Sequence, residues 1–375
     1  MITKVVWERL LAAACAAVLC GILTAGLWPF TPHPKNEVDW LENGNGIHFG
    51  AHGTILSSGA FEPVDPAGGT ACSLEIGVKA GPMNQAGTLL GFYSPEQPLS
   101  FSIYQYRNGL VFEHKPGDRP WHVGAPGSGV DHVFHPGGPS FVTITANSRG
   151  AEIYLDGALV ERSPLLRLSS GDFTGQLVVG TSPVGDESWS GEIRGLAIFD
   201  QELSATEVLE HYNSWSKNGR PQISGNASPV ALYLFDERAG SVVHNRAGSA
   251  PDLTIPDHYM IFRHSFLEWP WKEYYPDWTY YQDILVNIGG FIPLGFVFCA
   301  YLSSVRHLRR ARMITILFGF AVSLTIEILQ AYIPSRGSGM TDVITNTLGT
   351  VIGAIVFQCK ITYAIFSSIG IPVEH

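Results

Sequence analysis

The sequence predicts a multidomain protein: an α-helical four-span membrane bundle with an extracytoplasmic all-β jelly-roll sandwich inserted after the first span. Three observations predict it. Four apolar stretches are long enough to cross a bilayer, a run of short alternating segments separates the first stretch from the other three, and an arginine-rich connection orients the whole. With 45% hydrophobic and 15% charged residues, the 375-residue chain carries either a large core or membrane spans, and the clustering of its apolar residues decides for spans.

The first span occupies residues 10–30 (LLAAACAAVLCGILTAGLWPF), which carry no charge. Lys4 and Arg9 before it, and small residues around Ala25, are also features of a cleaved signal peptide. The apolar run exceeds a typical signal core, and no A-x-A site closes it, so an uncleaved anchor is expected. The remaining spans are 284–302, 313–332 and 343–358, the last continuing through Lys360 to Phe366. Between the second and third, SSVRHLRRAR holds Arg306, Arg309, Arg310 and Arg312 and no acid, which marks it as cytoplasmic. Both termini are then cytoplasmic and residues 31–283 lie outside. That outer region holds 29 Asp and Glu against 15 Lys and Arg, which excludes nucleic acid as a partner. Cys72 is the sole outer cysteine, so no disulfide can form within that region.

From Gly46 to Gly219 the pattern becomes SLEIGV, SFSIYQY, FVTITA, AEIYLDG and QLVVG, strands separated by Gly, Pro, Asn and Asp. Asp156-Gly157 supplies the positive φ of a tight hairpin. After GEIRGLAIFDQ, Ser204 and Glu207 form a capping box at a helix start. Together YLDG, GQLVVGTS and GEIRGLAIFDQELSATEV resemble the concanavalin-A-like jelly roll of laminin-G-type domains. The segment ALYLFDERAGSVVHNRAG at 231–248, which commonly opens such folds, here follows the helix. It is expected to return beside the first strand at Ile47–Phe49 and to carry the domain to about Pro256. The resemblance implies binding of glycans or proteins, with calcium a possible cofactor. Asp186 and Glu187 are weak candidates for a hard-cation site, His122, His132 and His135 for a metal cluster, and Trp121 and Trp189 for either sugar stacking or core packing. No E-x-D-x-E run of the glucanase kind is present.

The connector YMIFRHSFLEWPWKEYYPDWTYYQD holds Trp269, Trp271, Trp278 and five of the fourteen tyrosines. Rings with a polar edge concentrate at headgroup level, so a short interfacial helix broken at Pro270 and Pro276 is expected. The expected domains are therefore 1–45, 46–256, 257–283 and 284–375.

The polar residues of the spans are costly to bury and therefore informative. Asp283 and Asn287, Glu327 and Gln330, and Asp342 and Asn346 each share a helix face, all at the outer end of their spans, with Arg336 in the turn between the last two. An inward-facing cluster is expected. Gly349 and Gly353 allow close helix approach, and Pro293 with Gly295 would loosen the second span. DILVNIGGFIPLGF and EILQAYIPSRGSGMTDVITNTLGTVIG, with GLWPFTPHPKNEVDWL after the first span, resemble the VanZ family of bacterial membrane proteins. Its pattern falls on Asn287, Pro293, Gly295, Glu327, Gln330, Pro334, Arg336, Asp342, Asn346 and Gly349. The resemblance implies a plasma-membrane protein linked to resistance against the glycopeptide teicoplanin, with no established reaction.

Three functions follow. The cluster could hold a membrane-lipid headgroup or a lipid-linked envelope precursor while the sandwich engages envelope glycan or protein. It could instead be an enzyme site with Glu327 or Asp342 as base and Arg336 steadying an anion. In the third reading Glu327, Arg336 and Asp342 are an ion-pair lock, and the sandwich is an anchored adhesin or sensor.

Overall fold

The computed structural model describes residues 4–62, 69–114, 129–135, 138–184, 188–218, 228–263, 266–274, 278–334 and 336–359. The chain divides into two compact units, Met1–Pro32 with His264–His375, and His33–Arg263.

In chain order the elements are α1 (Lys4–Leu27), β1 (Val38–Trp40), β2 (Ile47–Phe49), β3 (Ile55–Ser57), β4 (Ala71–Ala80), β5 (Ala86–Tyr93), β6 (Phe101–Tyr106), β7 (Gly109–His114), β8 (Gly129–Val130), β9 (Ser140–Asn147), β10 (Gly150–Leu155), β11 (Ala158–Ser163), β12 (Gln176–Val179), β13 (Gly191–Phe199), α2 (Ala205–Asn218), β14 (Ala231–Tyr233), β15 (Val242–Val243), β16 (Leu253–Thr254), α3 (Pro270–Glu273), α4 (Trp278–Ser304), α5 (Ala311–Gln330) and α6 (Met340–Gln358). The second unit is a sandwich of two antiparallel sheets, ordered β1-β2-β13-β4-β9-β10-β11 and β15-β16-β3-β12-β5-β6-β7-β8, with β14 also on β13.

Alternation explains its layers. On β4, Leu74, Ile76 and Val78 enter the core between the sheets, whereas Ser73 and Glu75 face the opposite side, Ser73 bonded to the Gln201 carbonyl before α2 and Glu75 to His211 of α2. The core is aromatic: Phe92 meets Phe61 edge-on at 5.4 Å and stacks on Phe173 at the same distance. A smaller cluster of Phe141, Phe199, Val208 and Trp215 lies under α2. The hairpin β10–β11 turns at Asp156 (φ 51°) and Gly157 (φ 79°), a left-handed pair that suits the twist of its strands. Ser204 and Glu207 make the capping box: the Ser204 N–H donates to the Glu207 carboxylate at 2.8 Å and the Glu207 N–H to the Ser204 hydroxyl at 3.4 Å.

The late segment does return to the sheet, but end to end with β2 rather than laterally paired with it. β2 takes Gly191–Ile193 of β13 and β14 takes Leu196–Ile198 of the same edge. The Gly46 N–H donates to the Phe235 carbonyl at 2.9 Å where the two short strands meet. The sandwich also extends beyond 46–256 at both ends. β1 pairs with β2, and the buried Asn36 amide donates to the carbonyls of Thr54 and Pro256, both at 2.8 Å. The Tyr259 N–H donates to Pro34. A buried carboxamide must satisfy its donors, and Asn36 does so by tying the two ends of the unit together.

In the first unit, α1, α4, α5 and α6 are each long and apolar enough to cross a membrane, which makes the chain an integral membrane protein. α4 and α6 pack most closely. A Cβ at Gly349 would run into the Ile288 carbonyl, one at Gly353 into the Ile292 carbonyl, and one at Gly295 into the Thr350 carbonyl. The helix α4 continues through Pro293 without a break. Pro270 starts the one-turn α3 as its first residue rather than breaking a longer helix, the position where its missing N–H costs nothing. Pro276 lies outside the described residues.

Candidate functional site

The polar residues of the bundle fall into two linked groups. The first surrounds the N-terminus of α6. Glu327, on the last turn of α5 and 1% exposed, accepts the Gly339 N–H at 2.9 Å through Oε2. Glu273 of α3 accepts the N–H of Thr341 at 3.1 Å and also its hydroxyl. Two carboxylates thus cap the unpaired N–H groups of one helix start, where its dipole favours negative charge. The connector backbone runs alongside: the Met340 N–H donates to the Glu268 carbonyl at 2.9 Å, and Glu268 and Gly339 form a parallel bridge. Burial pushes the Glu273 carboxyl above its ordinary range, the Thr341 bonds oppose this, and the charge of Glu268 adds to it.

One turn along α6, Asp342 accepts the Asn287 amide of α4 at 2.7 Å. A further turn along, Asn346 donates to the Ser323 hydroxyl of α5 at 3.0 Å, while its own carbonyl oxygen is buried with no partner. Ser323 precedes Glu327 by one turn, so α5 presents Ser323 and Glu327 to Asn346 and Asp342. Glu327, Asp342, Glu273 and Arg336 lie near enough for their charges to interact. Asp283 is within electrostatic reach of Asp342, but its side chain is exposed, so the expected pairing of Asp283 with Asn287 inside the cluster does not form.

The second group holds α1. Gln330 donates to the Gly26 carbonyl at 2.8 Å, and Arg336 donates to the Trp28 carbonyl at 3.1 Å and the Ala25 carbonyl at 3.4 Å. The Ala25 and Gly26 carbonyls belong to the last turn of α1, left without helical partners by geometry, and that of Trp28 follows directly on it. The guanidinium is therefore turned to α1 rather than locked to a carboxylate: among the described residues no ion pair joins Arg336 to Glu327 or Asp342. The Gln330 side-chain oxygen is buried without a partner.

Sequence reasoning missed Glu273 and Ser323. For Ser323 the signal was available, because S-x-x-x-E places both side chains on one face. For Glu273 there was none, since only the fold brings α3 to α6. Around α3, Trp269 and Trp271 stack at 5.0 Å, and Phe266, Tyr274, Trp278 and Tyr281 are exposed beside them in the sequence.

In the sandwich, Trp189 is fully buried and donates to Gln105 at 2.6 Å, so it is a core residue and no sugar platform. His132 bonds Asn108 at 2.8 Å through Nδ1. Asp186, Glu187, Trp121 and His122 lie outside the described residues, and among the described residues no group of three His, Cys, Asp or Glu is placed to hold a metal ion. An open cleft of about 640 Å³ is lined by Asn45, Asn218, Leu234, Asp236 and Arg238. Phe235 (φ 50°) and Arg238 (φ 62°) hold its loop in the left-handed region, and Asp236 pairs with Arg246 at 2.6 Å.

Residues 231–363 match the family model described as VanZ/LLP1, and residues 78–209 match that of the concanavalin A-like lectin/glucanases superfamily, Laminin_G_3. Among solved structures the chain is similar to the binding domain of botulinum neurotoxin DC in complex with SialylT, at 18% identity over 48% of this chain and 45% of that one, with a TM-score of 0.32. It is also similar to a heptameric SAP-like pentraxin from Limulus polyphemus, at 13% identity over 58% and 93% of the two chains and a TM-score of 0.34. A third is a Trypanosoma rangeli sialidase in complex with the inhibitor DANA, at 15% identity over 49% and 30% and a TM-score of 0.35. The chain spans about half the length of the first of these, and likenesses this loose say nothing of its ligand. No curated protein matches the chain.

Proposed function

Because the chain is a VanZ-like membrane protein with a laminin-G-like domain inserted after its first span, we propose that it acts in the bacterial cell envelope. The bundle holds the polar headgroup of a membrane lipid or lipid-linked envelope precursor, and the sandwich faces outward to engage envelope glycan. One observation carries this reading: Asn346, 5% exposed, has a buried carbonyl oxygen with no partner, and it lies beside the likewise buried Glu327, whose carboxyl takes only the Gly339 N–H among the described residues. Buried polar atoms are costly unless paired, and their persistence here supports a partner from outside the chain. The arginine-rich connection Arg306–Arg312 supports cytoplasmic termini and an outer sandwich. In the sandwich, the cleft with two carboxamides, a carboxylate and a guanidinium offers the mixed donors and acceptors that sugar hydroxyls require.

A second reading has its own observation. Glu327 and Glu273 cap α6, so the carboxylates could serve architecture alone. Expression of Glu327→Gln and Asp342→Asn in cells separates the two. The headgroup reading expects normal membrane abundance with altered sensitivity to a glycopeptide and to an envelope detergent. Normal abundance with unaltered sensitivity to both agents would overturn it, and collapsed abundance would favour architecture.

A further inference from the structure

The headgroup reading leaves open which chemistry the cluster selects, and the following step rests on that reading. Three of the polar groups around the start of α6 have capacity left over among the described residues. Among the described residues the Asn346 carbonyl oxygen, 95% buried by residue, has no partner, and the Glu327 and Asp342 side chains each accept one hydrogen bond where a carboxylate can accept several. All are acceptors. They sit together: Asp342 and Asn346 are one turn apart on α6, facing Glu327 and Ser323, one turn apart on α5, with the Asn346–Ser323 bond of 3.0 Å closing the lower end.

The charge balance points the same way. Glu327 and Asp342 lie within electrostatic reach of each other and of Glu273, Asp342 also of Asp283, and the basic group that reaches them among the described residues is the Arg336 guanidinium, whose Nε and Nη2 are committed to the carbonyls of Trp28 and Ala25. A buried carboxyl without an ion-pair partner either keeps its proton or is stabilised as a carboxylate by a cation brought from elsewhere. A phosphate or carboxylate group seated among these acceptors would be repelled, and a metal ion would need more ligands than the described residues supply.

We propose that the cluster binds a primary ammonium group, its three N–H donors taken by Glu327, Asp342 and the Asn346 carbonyl oxygen. Three donors meet three acceptors, and a trimethylated amine, with no N–H, cannot replace it. Such a group can come from an ethanolamine phospholipid or from an amino sugar of a lipid-linked envelope precursor.

Native mass spectrometry of the full chain, released from micelles doped with equimolar phosphatidylethanolamine, phosphatidylglycerol and phosphatidylcholine, tests this. The expected result is retention of phosphatidylethanolamine about tenfold above the other two, falling to parity in Glu327→Gln and Asp342→Asn. Displacement of the retained lipid by soluble glucosamine would support an amino sugar as the natural source, and resistance to it a phospholipid. Preferential retention of phosphatidylglycerol, or equal retention of phosphatidylcholine and phosphatidylethanolamine, would overturn the ammonium assignment and leave a headgroup site standing. No selective retention of any lipid, with no effect of glucosamine, would overturn both. The selectivity of the parent decides the matter even if a variant fails to fold.

Discussion

Glu327→Gln preserves the shape of a side chain that is 1% exposed and keeps an oxygen to accept the Gly339 N–H, now at 2.9 Å. The loss of charge has opposing effects. A charge-assisted bond becomes a neutral one, which costs about 1 kcal/mol, and the attraction to the α6 N-terminus, about 0.3–1 kcal/mol, is lost. Against these, the repulsion from Asp342 and Glu273 disappears, and so does the desolvation of a buried charge, of the order of several kcal/mol. The sum predicts unfolding stability equal to the parent or higher by about 1 kcal/mol, whereas Glu327→Ala, which orphans the Gly339 N–H and opens a cavity, should cost about 2–5 kcal/mol. Denaturation of the purified proteins in mixed micelles, followed by the fluorescence of the nine tryptophans, measures both. A stable Glu327→Gln protein with altered envelope sensitivity is the signature of a working charge. A loss of about 3 kcal/mol or more on Glu327→Gln would refute the reasoning, because the charge itself would then hold the helices.

Two further outcomes are expected. Gly349→Ala and Gly353→Ala each force a methyl into a backbone carbonyl of α4 and should cost about 1–3 kcal/mol in the same denaturation assay, with their effects less than additive. In the sandwich, burial alone would lower the His211 pKa, but the hydrogen bond and charge of Glu75, with Glu207 and Glu210, outweigh it and hold it above the ordinary 6.5. The stabilisation this gives is complete below about pH 6.5 and is lost as pH rises through the raised folded-state value. His211→Leu should abolish that pH dependence of the sandwich transition and cost about 3–5 kcal/mol by leaving the buried Glu75 unpaired.

The architecture was legible because its signals are local. Hydropathy gave the spans, Asp156-Gly157 the hairpin and Ser204 with Glu207 the cap, since each depends on residues within a few positions of one another. The end-to-end arrangement of β2 and β14 was half legible: the return was readable from the order of segments, but its register on β13 depends on which residues of one edge remain unpaired. The candidate site was legible in part: spacing along single helices was readable, though Ser323 was missed, whereas Glu273 and the partners across helices were not. Helical spacing puts Asp342 and Asn346 one turn apart on α6, but it cannot tell that Arg336 and Gln330 turn to the carbonyls of Ala25, Gly26 and Trp28, some three hundred residues earlier. Asp283 shows the same limit, since a shared face with Asn287 did not make it buried.

Glu273 joins these strands of argument, because it belongs to the aromatic connector and yet completes the start of α6. Its pKa is raised from 4.5, so the folded state binds its proton more tightly than the unfolded chain does. The corresponding stabilisation is full below about pH 4.5 and is lost as pH rises through the folded-state value. Above that value Glu273 is an ionised group held against burial by its two bonds to Thr341. Glu273→Gln retains an acceptor for the Thr341 N–H and cannot ionise, so the parent should lose stability relative to this variant as pH is raised from 4.5. Glu273→Ala removes the cap at every pH, at about 0.5–2 kcal/mol. The difference between parent and Gln variant, measured as bundle unfolding across pH, isolates this one carboxyl from all others. If Glu273→Gln were instead less stable than the parent at neutral pH by as much as Glu273→Ala, attraction between the carboxylate and the α6 N-terminus would outweigh its burial. The connector would then hold α6 by charge, and neutralising it would weaken the helix that carries Asp342 and Asn346.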